Sequence, residues 1–148
     1  MAGYEIDESL ERDIQYSNEV WVHADKEKLM VNLNVTERDL ITSKGWLNGS
    51  IIDASMSILQ CQFPELSGFQ PSYFAEKLKF ERHSNASKFV QIFNRTPKGG
   101  GSHWLTASNI NCKNSCVKPY DSAFADIPTR EKCIIASLVQ IDEDYVVS

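Results

Sequence analysis

The chain has 148 residues, a hydrophobic share of 42%, a charged share of 24% and a net charge of −5. That length and composition fit one globular domain and exclude a disordered, fibrous or two-domain chain. The negative charge argues against non-specific binding to nucleic acid or an anionic membrane, and no apolar run reaches the ~20 residues that span a bilayer.

Residues 4–18 set Leu10 and Ile14 on one face among many charges, which predicts a short solvated helix. Val20, Trp21 and Val22 predict a strand over 19–23. Thr36 reads as the cap of a helix start, with acidic residues in its first turn. From 48 to 63, Ile52, Met56, Leu59 and Phe63 fall at i, i+4, i+7 and i+11, and Ile51 and Ile58 widen the face. That spacing predicts a core-facing helix, capped by Asn48 and stopped by Pro64. Residues 64–87 are rich in turn formers around a helix-like patch at 73–78.

Strands are predicted over 89–93, 103–110 and 116–120. A flexible turn with three glycines lies at 97–102, and a polar turn at 111–115. Pro119 places the third strand at an edge, or itself near that strand's end. The last helix is expected over 128–140, with Pro128 near its first position and Ile134, Leu138 and Ile141 on one face. Helices, then strands, then a helix define an α+β class. The acidic start of the chain lacks the apolar segment of a secretory signal, so a nuclear or cytoplasmic location is expected. Cys61, Cys112, Cys116 and Cys133 are then expected as free thiols.

His103 and Asp121 are 18 residues apart across the polar turn. Paired positions of an antiparallel hairpin sum to a constant. A turn centred on Cys112 pairs His103 with Asp121. One centred on Lys113 pairs His103 with Ala123 and leaves Asp121 a diagonal neighbour on the same face. Either register sets an imidazole beside a carboxylate, the arrangement that orients a histidine acting as general base.

Three blocks now resemble the ubiquitin-like-protein-specific cysteine proteases, the SUMO (sentrin-specific) protease family. Trp46-Leu47-Asn48-Gly49, leading into a helix, is similar to the family's Trp-Leu-Asn-Asp entry. Ser102-His103-Trp104-Leu105 is similar to its His-Trp strand, and Pro119-Tyr120-Asp121-Ser122 to its Tyr-Asp-Ser strand end. The resemblance covers 36–148 and leaves 1–35 as an N-terminal extension with a weak helix and strand. It implies a papain-like (adenain-type) cysteine protease architecture, with no cofactor and no metal. His103 would be the base and Asp121 its orienter. Trp46, Trp104 and Asn48 would contact the diglycine tail of a ubiquitin-like modifier or its conjugate.

The family pattern also breaks here. Its nucleophile follows the Asp in an Asp-Cys-Gly context, after an oxyanion Gln, and no Asp-Cys-Gly occurs in this chain. Gln140 precedes no such cysteine, and Gly49 stands where the family has a second Asp. Cys133 is expected as a buried core thiol, and Cys61 lies at a helix end where the dipole disfavours a thiolate. Cys112 and Cys116 have a loose spacing and no second pair, which does not make a zinc site. The closing residues 142–148 read as the start of a strand without a partner, so a domain lacking its C-terminal part is expected. Loss of a nucleophile alone costs about 10⁶-fold in a comparable triad, so the chain by itself is expected to be an inactive cysteine-type peptidase. The alternative is a non-catalytic module that binds a ubiquitin-like tail.

Overall fold

The computed structural model describes residues 17–27, 29–84, 86–95, 103–113, 116–123, 126–139 and 146–147. Positions 4–16 of the expected first helix, the turn at 97–102, Gln140 and Ile141 lie outside the described residues. What is described is a mixed α/β chain with three helices, a two-stranded hairpin and a five-stranded mixed sheet.

The strand expected at 19–23 is β1 (Val20–Lys26), and it pairs antiparallel with β2 (Leu29–Asn34). β1 is exposed along most of its length, while Val31 and Leu33 of β2 point inward. Helix α1 (Val35–Thr42) follows at once. Its cap is Asn34, not Thr36, because Glu37 at the third helical position reaches back to accept from the Asn34 N–H at 2.8 Å. Thr36 sits inside the first turn and uses its hydroxyl on Ser17, accepting from its N–H at 2.7 Å and donating to its carbonyl at 3.1 Å.

Helix α2 (Gly49–Gln62) starts where expected, with Asn48 Oδ1 accepting from the Ile51 N–H at 3.0 Å. Ile51 and Ala54 pack on Val31 and Leu33, so the hairpin shares a core with this helix across the boundary expected at 35/36. Ile52 and Met56 are also buried, but Ile58 and Phe63 are exposed, against expectation. The hairpin reaches this end of the helix, where the Met30 N–H donates to Ser57 Oγ at 2.7 Å and Leu29 shares a cleft with Gln60 and Cys61, yet it leaves Ile58 and Phe63 uncovered.

The sheet runs β3 (Ser67–Gly68), β4 (Phe89–Arg95), β5 (His103–Ser108), β6 (Cys116–Tyr120), β7 (Val146–Val147). Neighbours are antiparallel from β4 to β6 and parallel at both ends. Gly68 is required where β3 meets β4: at φ 91° a Cβ would lie 2.1 Å from the Val90 carbonyl oxygen. The patch at 73–78 yields only a short 3₁₀ turn, Ser72–Ala75. β7 pairs with Cys116 and Val117, so the apolar pair expected to lack a partner has one. Pro119 pairs with Ala107 beyond the stretch β7 covers, near the end of β6.

Helix α3 (Thr129–Ser137) is shorter than expected, and Pro128, expected near its first position, is its cap. Ile134, Ile135 and Leu138 join Phe89, Phe93, Leu105, Ala107 and Val117 in the main core. Cys133 is exposed, not buried. The helix buries the adjacent Ile134 and Ile135, and that rotation turns position 133 outward.

Candidate active site

Three strand ends converge on one corner of the sheet. β4 and β5 are paired so that Arg95 lies opposite His103. β5 and β6 are paired Thr106 with Tyr120, Ala107 with Pro119 and Ser108 with Lys118, the register in which positions sum to 226. Of the two registers the turn allows, this is the one that makes Asp121 a diagonal neighbour of His103. Phe93, Leu105 and Ala107 alternate into the core, and the same alternation turns Arg95, His103 and Asp121 towards that side at its rim.

The geometry there is tight. His103 Nε2 lies 2.6 Å from Asp121 Oδ1, and Arg95 Nη1 donates to Asp121 Oδ2 at 2.7 Å. The Ala123 N–H adds a bond to Oδ1 at 2.9 Å. The Asp121 carboxylate is therefore gripped at both oxygens, from β4, β5 and the chain just beyond β6. Its side chain is 2% exposed, that of Arg95 9% and that of His103 21%. A carboxylate this dry needs a countercharge, and a guanidinium, charged at any ordinary pH, supplies one. With Nε2 donating to Asp121, a neutral ring carries its basic lone pair on Nδ1.

Trp104, next along β5, projects from the opposite face of the sheet to His103 by strand alternation. The two sides meet at the strand end, where Trp104 and Asp121 both line a cleft of ≈ 530 Å³ with Thr106, Pro119, Tyr120 and Ser122. The Trp104 indole N–H donates to the Leu47 carbonyl at 3.0 Å, which ties the Trp46 segment to β5. Trp46 is itself exposed. The Asn48 amide is used at both ends: its oxygen caps α2, and its nitrogen donates to Glu37 Oε1 at 3.2 Å. Its place in the structure is thus a link between the starts of α1 and α2.

The four cysteines are free thiols. Cys116 opens β6 five strand steps, ~17 Å, from Asp121, and Cys112 lies past the end of β5 remote from His103, so both are far from the imidazole. Burial pushes the Cys112 thiol up, and the neighbouring Cys116 adds to this. Cys61 is exposed in the last turn of α2, in a cleft with Leu29 and Pro64. Among the described residues no three His, Cys, Asp or Glu side chains are grouped to hold a metal ion. A second histidine, His83, is buried elsewhere, stacked on Phe89 at 4.6 Å, and that burial lowers its pKa, with Glu81 opposing.

Arg95 and Glu37 escape the sequence reading. For Arg95 a signal exists: a turn centred on Gly99 makes paired positions sum to 198, which sets Arg95 against His103 by the arithmetic already used for Asp121. Glu37 reveals itself only through the capping box with Asn34, which the choice of Thr36 as cap conceals.

No family model, no curated protein and no solved structure matches the chain. No helix among the described residues is long and apolar enough to cross a membrane.

Proposed function

We propose that the chain carries the base half of a cysteine-peptidase site of the SUMO-protease type, in a papain-like architecture. Its substrate class is the diglycine tail of a ubiquitin-like protein or the isopeptide bond that such a tail forms. The observation that supports this is the 2.6 Å contact from His103 Nε2 to a dry, fixed Asp121 carboxylate, beside a cleft walled by Trp104. In the proposed reaction His103 Nδ1 takes the thiol proton, the thiolate attacks the scissile carbonyl, and the imidazolium returns its proton to the leaving amine. Asp121 holds Nε2–H throughout. We assign none of the four cysteines as the nucleophile.

The second reading is a binding module without catalysis. It is favoured by the Trp104–Leu47 bond, which brings the two tryptophan segments together with no need of a thiol. Both readings require the tail to bind. The first test is a titration of the chain with SUMO ending in diglycine and with SUMO lacking those two residues, followed at the indole N–H signals. Shifts of Trp46 and Trp104 with the first and none with the second are expected. Absence of any shift with either overturns both readings. A SUMO C-terminal electrophile probe then separates them. This chain is expected to stay unlabelled, whereas a polypeptide extended beyond Ser148 through a Gln and an Asp-Cys-Gly is expected to react and to lose the reaction on His103→Ala. Labelling of Cys61 or Cys133 in this chain, abolished by His103→Ala, would relocate the nucleophile.

A further inference from the structure

We propose that Arg95 is the positioning residue of the His103–Asp121 pair: by holding Asp121 Oδ2 it aims Oδ1 at His103 and supplies the cation that leaves the imidazole free to stay neutral. That the neutral ring serves as a base rests on the function proposed above; the charge arrangement does not.

Arg95 closes β4 and His103 opens β5, and the two are directly paired. Their side chains therefore leave the sheet on the same face, with Asp121 between them on the third strand's end. Arg95 Nη1 binds Oδ2 at 2.7 Å while His103 Nε2 and the Ala123 N–H bind Oδ1. A carboxylate held at both oxygens cannot turn about its own axis, so the nitrogen that Oδ1 faces is fixed too.

Charge is the second step. The Asp121 side chain is 2% exposed, and a carboxylate in so dry a place is stabilised by a positive group beside it. Among the described residues the charged groups that face it are Arg95 from β4 and, when protonated, His103 from β5. Arginine holds its charge at any ordinary pH. With Arg95 present, the carboxylate has its counterion and the imidazole can remain neutral. Without it, the countercharge that the described residues offer the carboxylate is the imidazolium, which has no lone pair to accept a proton. A brace of the sheet corner alone would be read in stability, whereas the charge role is read in the protonation form of the ring, and the positioning role in its tautomer.

The test reads the ring directly, by ¹⁵N shifts of His103 in the whole chain at a fixed pH near 7.5. The native protein should show a neutral ring with the proton on Nε2. In Arg95→Met the ratio of protonated to neutral ring should rise at least about tenfold, the usual effect of an unshared opposite charge. Arg95→Lys, which keeps the charge, should restore the native pattern. An Arg95→Met protein that folds and keeps the native ring signature overturns the proposal, as does an Arg95→Lys ring that becomes imidazolium. Should Arg95→Met not fold, the double variant Arg95→Met/Asp121→Asn buries no charge and takes its place. Its ring should be neutral but divided between both tautomers, and a ring held wholly in the Nε2–H form overturns the positioning role. No substrate enters these measurements, so a failure of the proposed peptidase or tail-binding activity leaves their outcome unchanged and separately readable.

Discussion

Asp121→Ala is the most informative stability perturbation. It removes acceptors for His103 Nε2, Arg95 Nη1 and the Ala123 N–H in one step. The largest consequence falls on Arg95, whose side chain is 9% exposed and loses its carboxylate. Breaking a buried pair by deleting one partner costs about 3–5 kcal/mol, because the remaining charge is left in a poorly solvated place. For a chain of this size that corresponds to a fall in Tm of about 9–15 °C, at about 3 °C per kcal/mol. Urea denaturation followed by far-UV circular dichroism measures it directly. Arg95→Met alone should cost somewhat less, since His103 can take up a proton and serve Asp121 in its stead. The double variant Asp121→Ala/Arg95→Met should cost little more than the worse single one, with a coupling energy of about 2–3 kcal/mol. A cost below about 1 kcal/mol for Asp121→Ala would place the pair in water, where such bridges are worth little, and would refute the dry corner on which the site depends.

Three further outcomes are expected. Asn48→Ala should cost about 1–2 kcal/mol in thermal or urea melts, through loss of the α2 cap and of the link to Glu37, while Asn48→Asp should keep the cap but lose the link, since it sets a second carboxylate against Glu37. Met56→Ala, at a fully buried position, should cost about 2–5 kcal/mol, and Phe63→Ala, on the uncovered end of the same helix, under about 1 kcal/mol, both by urea titration. His83, whose pKa burial lowers, should make stability fall with acid. Above its ordinary value near 6.5 both states hold a neutral ring; as pH drops below that value the unfolded chain binds the proton first, and stability is lost down through the native pKa. Denaturation midpoints measured across that window should flatten in His83→Gln, and an unchanged slope would show that the ring is not desolvated.

What the sequence discloses follows from what each signal physically encodes. The 48–63 periodicity and the Asn48 cap are local properties, and α2 forms where they say. The same periodicity cannot encode which part of the apolar face its neighbours cover, and so Ile58 and Phe63 are misjudged. Cys133 fails for a related reason, since a short apolar helix offers two rotations and only the packed sheet chooses between them. β3 and β7 have two residues each, too few for any period to register. Thr36 loses the cap to Asn34 through a reciprocal bond with Glu37, which a reading of one residue at a time does not weigh.

The His103–Asp121 contact is legible because it is a consequence of counting. A turn at 111–115 fixes a register, and a register fixes which side chains share a face. Arg95 obeys the same count, but its turn had to be joined to the strand before it, and a strand taken to end at Phe93 stops two residues short. The missing residue is also the one that changes the chemistry of the corner. An imidazole and a carboxylate alone form an ion pair as readily as a base and its orienter. A guanidinium on the second oxygen divides these possibilities, because it settles the charge of the carboxylate without the imidazole. The gradient of exposure, from Asp121 at 2% through Arg95 at 9% to His103 at 21%, runs in the same sense. The anchor and its counterion are dry, where electrostatic interactions are strong, and the histidine is the member that solvent, or a reacting group, can reach.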